Sequence, residues 1–267
     1  MKWSFIILSV LVSLNGQSDQ IFVGTRPLSM GGAFIAVADD ANAITWNSAG
    51  LPGLRRTEFT STYADLYAMN INQSYFGFVR PFSDRIALGI DWSNLGFEDS
   101  ELMYSENKLN FALGIQAHRK FSFGLTLKYL MRDMQLDGTS YGKSSGIGYD
   151  AGIIYQPLKI LKVGLGFYDL NGTQISYKDK TSEEVLGQAF KLGIAYMPIN
   201  GLTIAADYGD RVHAGIEYVL ASRIGFRAGI QKGLSNEKDM LIPSAGISLK
   251  FRSLFIEYGL ENHPYLE

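Results

Sequence analysis

The chain has 267 residues, no cysteine, 29 glycines, 13% aromatic residues, and 24 Lys+Arg against 26 Asp+Glu. The near-neutral charge leaves no electrostatic footprint for nucleic acid. The absence of cysteine removes disulfides, thiolate nucleophiles and zinc ribbons. Beyond the N-terminus no apolar run is long enough for a membrane-spanning helix, while glycine well above its usual share of about 7% alongside many aromatics favours extended strands.

Met1–Ser4 carries one lysine, Phe5–Leu14 is a ten-residue apolar run, and Asn15–Ser18 is small and polar. That order is a secretory signal peptide, residues 1–18, with cleavage expected near residues 16–18. Ten apolar residues are too few to span a bilayer as a helix.

Residues 19–55 follow a different rule. Gly24–Leu51 is dense in small residues and has no period of two. Gly31-Gly32 permits close backbone approach. Asp39-Asp40 and Asn42 suit a turn or helix N-cap opening a short Ala-rich helix. Asp39-Asp40 lacks the spacing of a calcium loop, and Gly31-Gly32 lacks the Gly-Lys-Ser/Thr ending of a phosphate loop. A compact piece of this kind, set before the first strand, is suited to packing inside a barrel.

From residue 56 to 267 the chain alternates. In Lys120–Leu130, Phe121, Phe123, Leu125, Leu127 and Tyr129 oppose Ser122, Gly124, Thr126 and Lys128. The same period runs through 85–93, 109–118, 146–156, 161–167, 190–196, 202–208, 211–218, 223–231, 245–251 and 254–260. It is blurred in 56–66 and 71–80. Thirteen strands are expected. Short turns such as Arg80–Asp84, His118–Lys120 and Ala221-Ser222 alternate with mostly longer polar loops at 94–107, 131–144, 170–186 and 232–240. Short turns on one side, long loops on the other and aromatics at strand ends predict an all-β fold, a transmembrane antiparallel β-barrel. A secreted β-sandwich also alternates, but its polar face has no need of so much Gly, Ala and Ser, whereas a crowded lumen does. Thirteen is odd, and bacterial barrels have even counts. Either a fourteenth strand is missing after Glu267 or the N-terminal segment supplies one; the ending His263–Glu267 reads as the start of a loop and favours the first.

The identity lies in the N-terminal segment. Arg26-Pro27-Leu28-Ser29-Met30-Gly31-Gly32-Ala33, Ala38-Asp39-Asp40-Ala41 and Trp46-Asn47-Ser48-Ala49-Gly50-Leu51 resemble the N-terminal signature of the PorV/PorQ-like outer-membrane family, itself similar to the FadL-type long-chain fatty-acid transporters. Ser48 stands where that family usually has Pro. The resemblance implies a barrel of about fourteen strands in the outer membrane of a Gram-negative-type bacterium. It implies a plug carrying Gly31, Gly32, Asp39, Asp40, Trp46, Asn47 and Gly50. It brings no cofactor.

Two functions follow from the resemblance. The FadL side implies transport of a hydrophobic ligand such as a fatty acid. Lys128, Lys162, Lys191, Arg223, Arg227 and Lys250 fall on the inferred lumen faces, where they either receive a carboxylate or pair with Asp91, Asp150, Asp207, Glu217 and Glu257. The lumen faces are short of large apolar residues, so a greasy path needs Phe34, Ile35, Val37 and Ile44 from the plug. The PorV/PorQ side implies a role in protein secretion, with the long loops, bearing Phe97, Met103, Tyr104, Met134, Tyr141 and Tyr177, contacting secreted proteins or the secretion machinery. No enzyme is expected. His118 and His213 point to the lumen by parity without a nucleophile beside them, and His263 is the third histidine.

Overall fold

The computed structural model describes residues 23–66, 71–98, 102–136, 139–177, 183–234 and 241–262. The expected signal peptide and His263 lie outside these residues.

Strands form where the period of two places apolar side chains on one face. They are β1 (Glu58–Leu66), β2 (Ile71–Pro81), β3 (Ile86–Glu98), β4 (Leu102–His118), β5 (Phe121–Leu136), β6 (Thr139–Leu158) and β7 (Leu161–Tyr168). Two short strands follow, β8 (Gln174–Tyr177) and β9 (Glu183–Val185). Then come β10 (Ala189–Tyr196), β11 (Leu202–Tyr208), β12 (Arg211–Leu220), β13 (Ile224–Gly233), β14 (Leu241–Phe251) and β15 (Leu254–Glu261). The sheet runs β1 to β7, then β10 to β15, each strand antiparallel to the next; β8 and β9 pair with each other, and β8 also with β6. These thirteen strands of the main path match the number read from alternation.

Along the main path of the sheet, one face of the strands is largely apolar and turned outward. Phe76, Ile90, Phe111, Leu127, Ile194, Ile216, Phe226 and Ile247 all point outward, which in water would be an unprotected surface and in hydrocarbon is the solvated one. The opposite face is small or polar and lines the lumen. Among the described residues no helix is long and apolar enough to cross a membrane.

β1 and β15 are not paired with each other among the described residues. Since direction reverses at each of twelve steps, the two edge strands run the same way, and one strand antiparallel to both would close the seam. A short helix, α1 (Thr25–Ser29), packs against β13, β14 and β15 beside this seam.

Three expectations are corrected. The described residues of segments 94–107 and 131–144 are strand, not loop: β3 and β4 stay in register to Glu98↔Met103, and β5 pairs with β6 to Leu136↔Thr139 across a register shift between Asp133 and Gln135. Period two fades there because these extensions carry polar residues on both faces: Asn94 donates across the hairpin to Ser105 and Asn107 on one, and Arg132 donates to Glu106 on the other. Second, His118 is not lumenal. A register shift between Ile115 and His118 pairs it with outward-facing Phe121, because one inserted residue swaps faces. Third, Arg223 sits exposed in the turn after β12, where Ala221 and Ser222 take φ of 49° and 56°.

A candidate site inlaid in the lumen

Residues 23–54 are folded inside the barrel. Besides α1 they form a four-residue helix, α2 (Ala43–Trp46), and a 3-10 turn, Ser48–Gly53. Ala33 to Ala38 are all buried, and Phe34, Ile35, Ile44 and Leu51 are completely so. Burying each such large side chain contributes about 1.5–3 kcal/mol. Phe34 meets Trp46 edge-to-face at 6.0 Å between centroids.

Small lumenal residues make this fit possible. Strand glycines 114, 124, 152, 164, 193, 215, 229 and 246 face the segment so closely that a β-carbon on any of them would overlap it. At Gly152 the overlap is with the Asn47 amide; at Gly229 it is with the backbone of Met30 and Gly31. Gly31 has φ 62° and lies against the backbone of Ile230, so both its conformation and its missing side chain are required. Gly50 presses on the Ala38 carbonyl. Glycine-rich lumen faces are therefore the imprint of the inlaid segment.

Polar contacts fix it at several points. Arg26 donates to Asp39 (2.6 Å), to Asp40 (2.9 Å) and, through two nitrogens, to Glu217 of β12 (2.9 and 2.6 Å). Arg227 donates to the same Glu217 at 2.6 Å and pairs with Glu257 at 2.8 Å. Burial pushes the Asp39 carboxyl up, but Arg26, aided by Lys162, more than reverses this and holds it below the usual carboxylate range.

Asp207 accepts the backbone N–H groups of Phe34 and Ile35 at 2.6 and 2.8 Å. Asp91 accepts from Thr45 (2.7 Å) and Asn110 (2.8 Å). The Trp46 indole donates to the Val23 carbonyl (2.8 Å), Tyr168 donates to the Trp46 carbonyl (2.5 Å), and Asn47 donates to the Ile35 carbonyl (2.9 Å). His213 Nδ1 lies 2.7 Å from the Gly31 carbonyl oxygen; since that oxygen only accepts, the ring carries its proton on Nδ1.

The six cations read from the sequence have separate fates. Lys128 lies 2.8 Å from both Asp150 and Asp169. Lys191 is buried and pairs with Asp210 at 3.3 Å. Arg227 is held by Glu217 and Glu257. Lys162, half-buried, reaches the Val37 carbonyl at 3.5 Å. Lys250 sits over the Phe255 ring at 5.0 Å, near the barrel end. Arg223 is outside, as above. Lys128, Lys191 and Arg227 are thus neutralised separately and do not converge on one anion. Of the seven motif residues, Asp39 and Asp40 meet through Arg26, Asn47 and Trp46 lie in the packed centre, and Gly31 and Gly50 are close-contact points; Gly32 has φ 80°.

The sequence reading gave Arg26 no role and placed Asp207 among the partners of lumenal cations, whereas it accepts from two backbone amides. Arg26 stood inside the quoted motif, and a lone arginine opposite Asp39-Asp40 in a small-residue segment was the available signal. Nothing local announces that Asp207, one alternating residue among many, caps two backbone amides some 170 positions away. Among the described residues no cluster of three metal-ligating side chains is present.

No known family profile matches the chain, and no curated protein does. Solved structures do. The Ralstonia pickettii toluene transporter TbuX superposes with a TM-score of 0.66 at 14% identity over 93% of each chain. The CymD monoaromatic hydrocarbon channel gives 0.67 at 15% over 94% of each. A Pseudomonas aeruginosa FadL homologue gives 0.62 at 10%, covering 90% of this chain and 88% of its own. The chain has the fold of a FadL-type barrel. It is an antiparallel transmembrane β-barrel, and the superpositions span about nine-tenths of each partner.

Proposed function

We propose that this protein is an outer-membrane channel for small hydrophobic molecules, with residues 19–55 as its plug. The observation that carries this reading is the composition of the lumen's filling. Phe34, Ile35, Val37 and Ile44 supply, at the centre of a polar-walled barrel, the apolar surface that the strands themselves lack. A barrel filled this way offers ions and sugars no continuous water column, whereas an apolar solute exchanges one greasy surface for another. The FadL-type fold and the hydrocarbon cargo of the similar transporters support the same reading.

The paired state of Lys128, Lys191 and Arg227 favours an uncharged cargo over a fatty-acid carboxylate, because freeing any of them would strand its buried partners. The secretion role implied by the PorV/PorQ resemblance has no support from the comparisons. The described residues of two of the segments offered for it, 94–107 and 131–144, are paired strand extensions.

Reconstituted protein in liposomes tests the function. Uptake of a neutral aromatic hydrocarbon faster than through protein-free liposomes, with no accompanying ion conductance in planar bilayers, is the expected result. Steady ion conductance from the intact protein, or hydrocarbon uptake at the protein-free rate, would sink the reading.

A further inference from the structure

The outer wall carries a depression of its own. Between β2 and β6 lies a cavity of about 540 Å³, lined on its outward face by Phe78, Leu88, Ile90, Phe111, Leu125 and Leu127. These side chains point away from the lumen, so the cavity opens to the bilayer and lies apart from the inlaid segment. Its volume is in the range of pockets that hold small ligands.

One end of this cavity is charged. Arg80 lines it, with its guanidinium 5.4 Å from the centroid of Phe82 in the adjoining turn. Arg85 follows in the same turn, and its carbonyl accepts from the Gln116 amide at the end of β4. That contact brings the β4–β5 turn alongside, with Arg119 and Lys120. All four cations are exposed, and none forms an ion pair among the described residues. Asp84 is the one acid in the two turns. Of the remaining short turns, those after β6 and β12 carry one cation each, Lys159 and Arg223, the one after β14 carries Lys250 and Arg252, and the one after β10 carries none. The two neighbouring turns beneath the cavity together carry four.

We propose that this face is a binding site for one anionic phospholipid of the leaflet at the short-turn end. An acyl chain occupies the apolar depression, and the phosphate rests on Arg80, Arg85, Arg119 and Lys120. The chemistry matches at both ends. Arginine and lysine stems lie along apolar surface while their heads reach headgroup depth, and clustered cations there select anionic lipid over zwitterionic. A protein partner would require polar surface around the depression, but the lining residues are those of a lipid-facing wall. The inference rests on the membrane-spanning fold and is independent of the cargo.

Native mass spectrometry of the full chain, released from nanodiscs of phosphatidylethanolamine doped with phosphatidylglycerol, tests it. One phosphatidylglycerol per barrel should survive delipidation that strips phosphatidylethanolamine. The combined R80Q/R85Q/R119Q/K120Q variant should lower that preference roughly tenfold. The pairs R80Q/R85Q and R119Q/K120Q should each lower it part-way, which keeps the test available should the fourfold variant fail to insert. Leu125→Trp, which fills the cavity, should weaken retention of phosphatidylglycerol with all four cations intact. Equal retention of both lipids by the unaltered protein would overturn the proposal. So would unchanged preference in both paired variants, or displacement of the lipid by a neutral hydrocarbon, which would make the cavity a cargo site. Hydrocarbon uptake by the paired variants, measured alongside, separates failure of this site from failure of the transport reading.

Discussion

Asp207 on the lumenal face of β11 accepts hydrogen bonds from the consecutive backbone amides of Phe34 and Ile35, at 2.6 and 2.8 Å. A carboxylate bonded to two main-chain donors holds the inlaid segment by its backbone, whatever its side chains are, and fixes the depth at which Phe34 and Ile35 enter the apolar centre. Asp207→Asn keeps the shape but replaces a charged acceptor with a neutral one that has an amide of its own to satisfy. A loss of about 1.5–3 kcal/mol of local stability is expected. Hydrogen exchange at the Phe34 and Ile35 amides should accelerate while the strand amides of the barrel stay protected. Unchanged exchange at those two positions would show that packing alone holds the segment.

Close approach makes a second expectation sharp because it comes with an internal control. Gly152→Ala and Gly229→Ala each push a methyl group into the inlaid segment, at Asn47 and at Gly31 respectively. Overpacking of this kind costs about 1–3 kcal/mol. Gly53, at the end of the 3-10 turn, has open space around its α-carbon, so Gly53→Ala should be neutral. Heat-modifiable gel mobility of the three variants checks this. Equal midpoints for Gly152→Ala and Gly53→Ala would mean that the segment yields without cost.

Arg26 gathers Asp39, Asp40 and Glu217 around one guanidinium. Arg26→Ala leaves these carboxylates facing one another, and removing one partner of a buried pair costs about 3–5 kcal/mol. The pH dependence has a definite sign. The folded pKa of Asp39 lies below its ordinary value of 3.8, so its contribution is complete above that value and is lost as pH falls through the lower folded value. Acidification below about pH 4 should therefore loosen residues 26–40 in the unaltered protein but make little further difference in Arg26→Ala. Exchange of the segment's amides across pH 5 to 2 measures it, and loosening that begins near neutrality would contradict the assignment.

The barrel was legible because its signal is repeated. Phe121 through Tyr129 and Phe190 through Tyr196 alternate without exception, and each strand that does so reinforces the next. Lumenal crowding was legible too, since Gly124, Gly152 and Gly193 occupy the face that a soluble protein would give to large polar residues. The breaks in the pattern were harder. A single inserted residue near Ile115 turned His118 outward, and parity counted across it gave the wrong face. The hairpin extension at 94–107 looks like a loop because polar residues occupy both of its faces, Asn94, Ser105 and Asn107 on one and Glu106 on the other. Long-range capture, as between Asp207 and Phe34, leaves no periodic trace at either end.

Lys128 decides between two meanings of a lumenal cation. Its ammonium lies 2.8 Å from both Asp150 and Asp169. Asp169 also accepts from the Thr173 hydroxyl at 2.6 Å, and Asp150 accepts from the Asp169 amide at 2.8 Å. The lysine therefore closes a network that bridges β5, β6 and the bend after β7, where Asp169 and Gly172 take positive φ. A structural role makes Lys128→Met destabilising by about 3–5 kcal/mol, with part of the loss recovered when Asp150→Asn removes one of the two stranded charges. It also makes uptake of a fatty acid and of a neutral hydrocarbon fall together, in proportion to the folded fraction. A ligand-binding role predicts a split: fatty-acid uptake collapses, hydrocarbon uptake persists, and Asp150→Asn restores nothing. Parallel uptake measurements on the single and double variants, each normalised to folded barrel, separate the two, and the geometry requires the first.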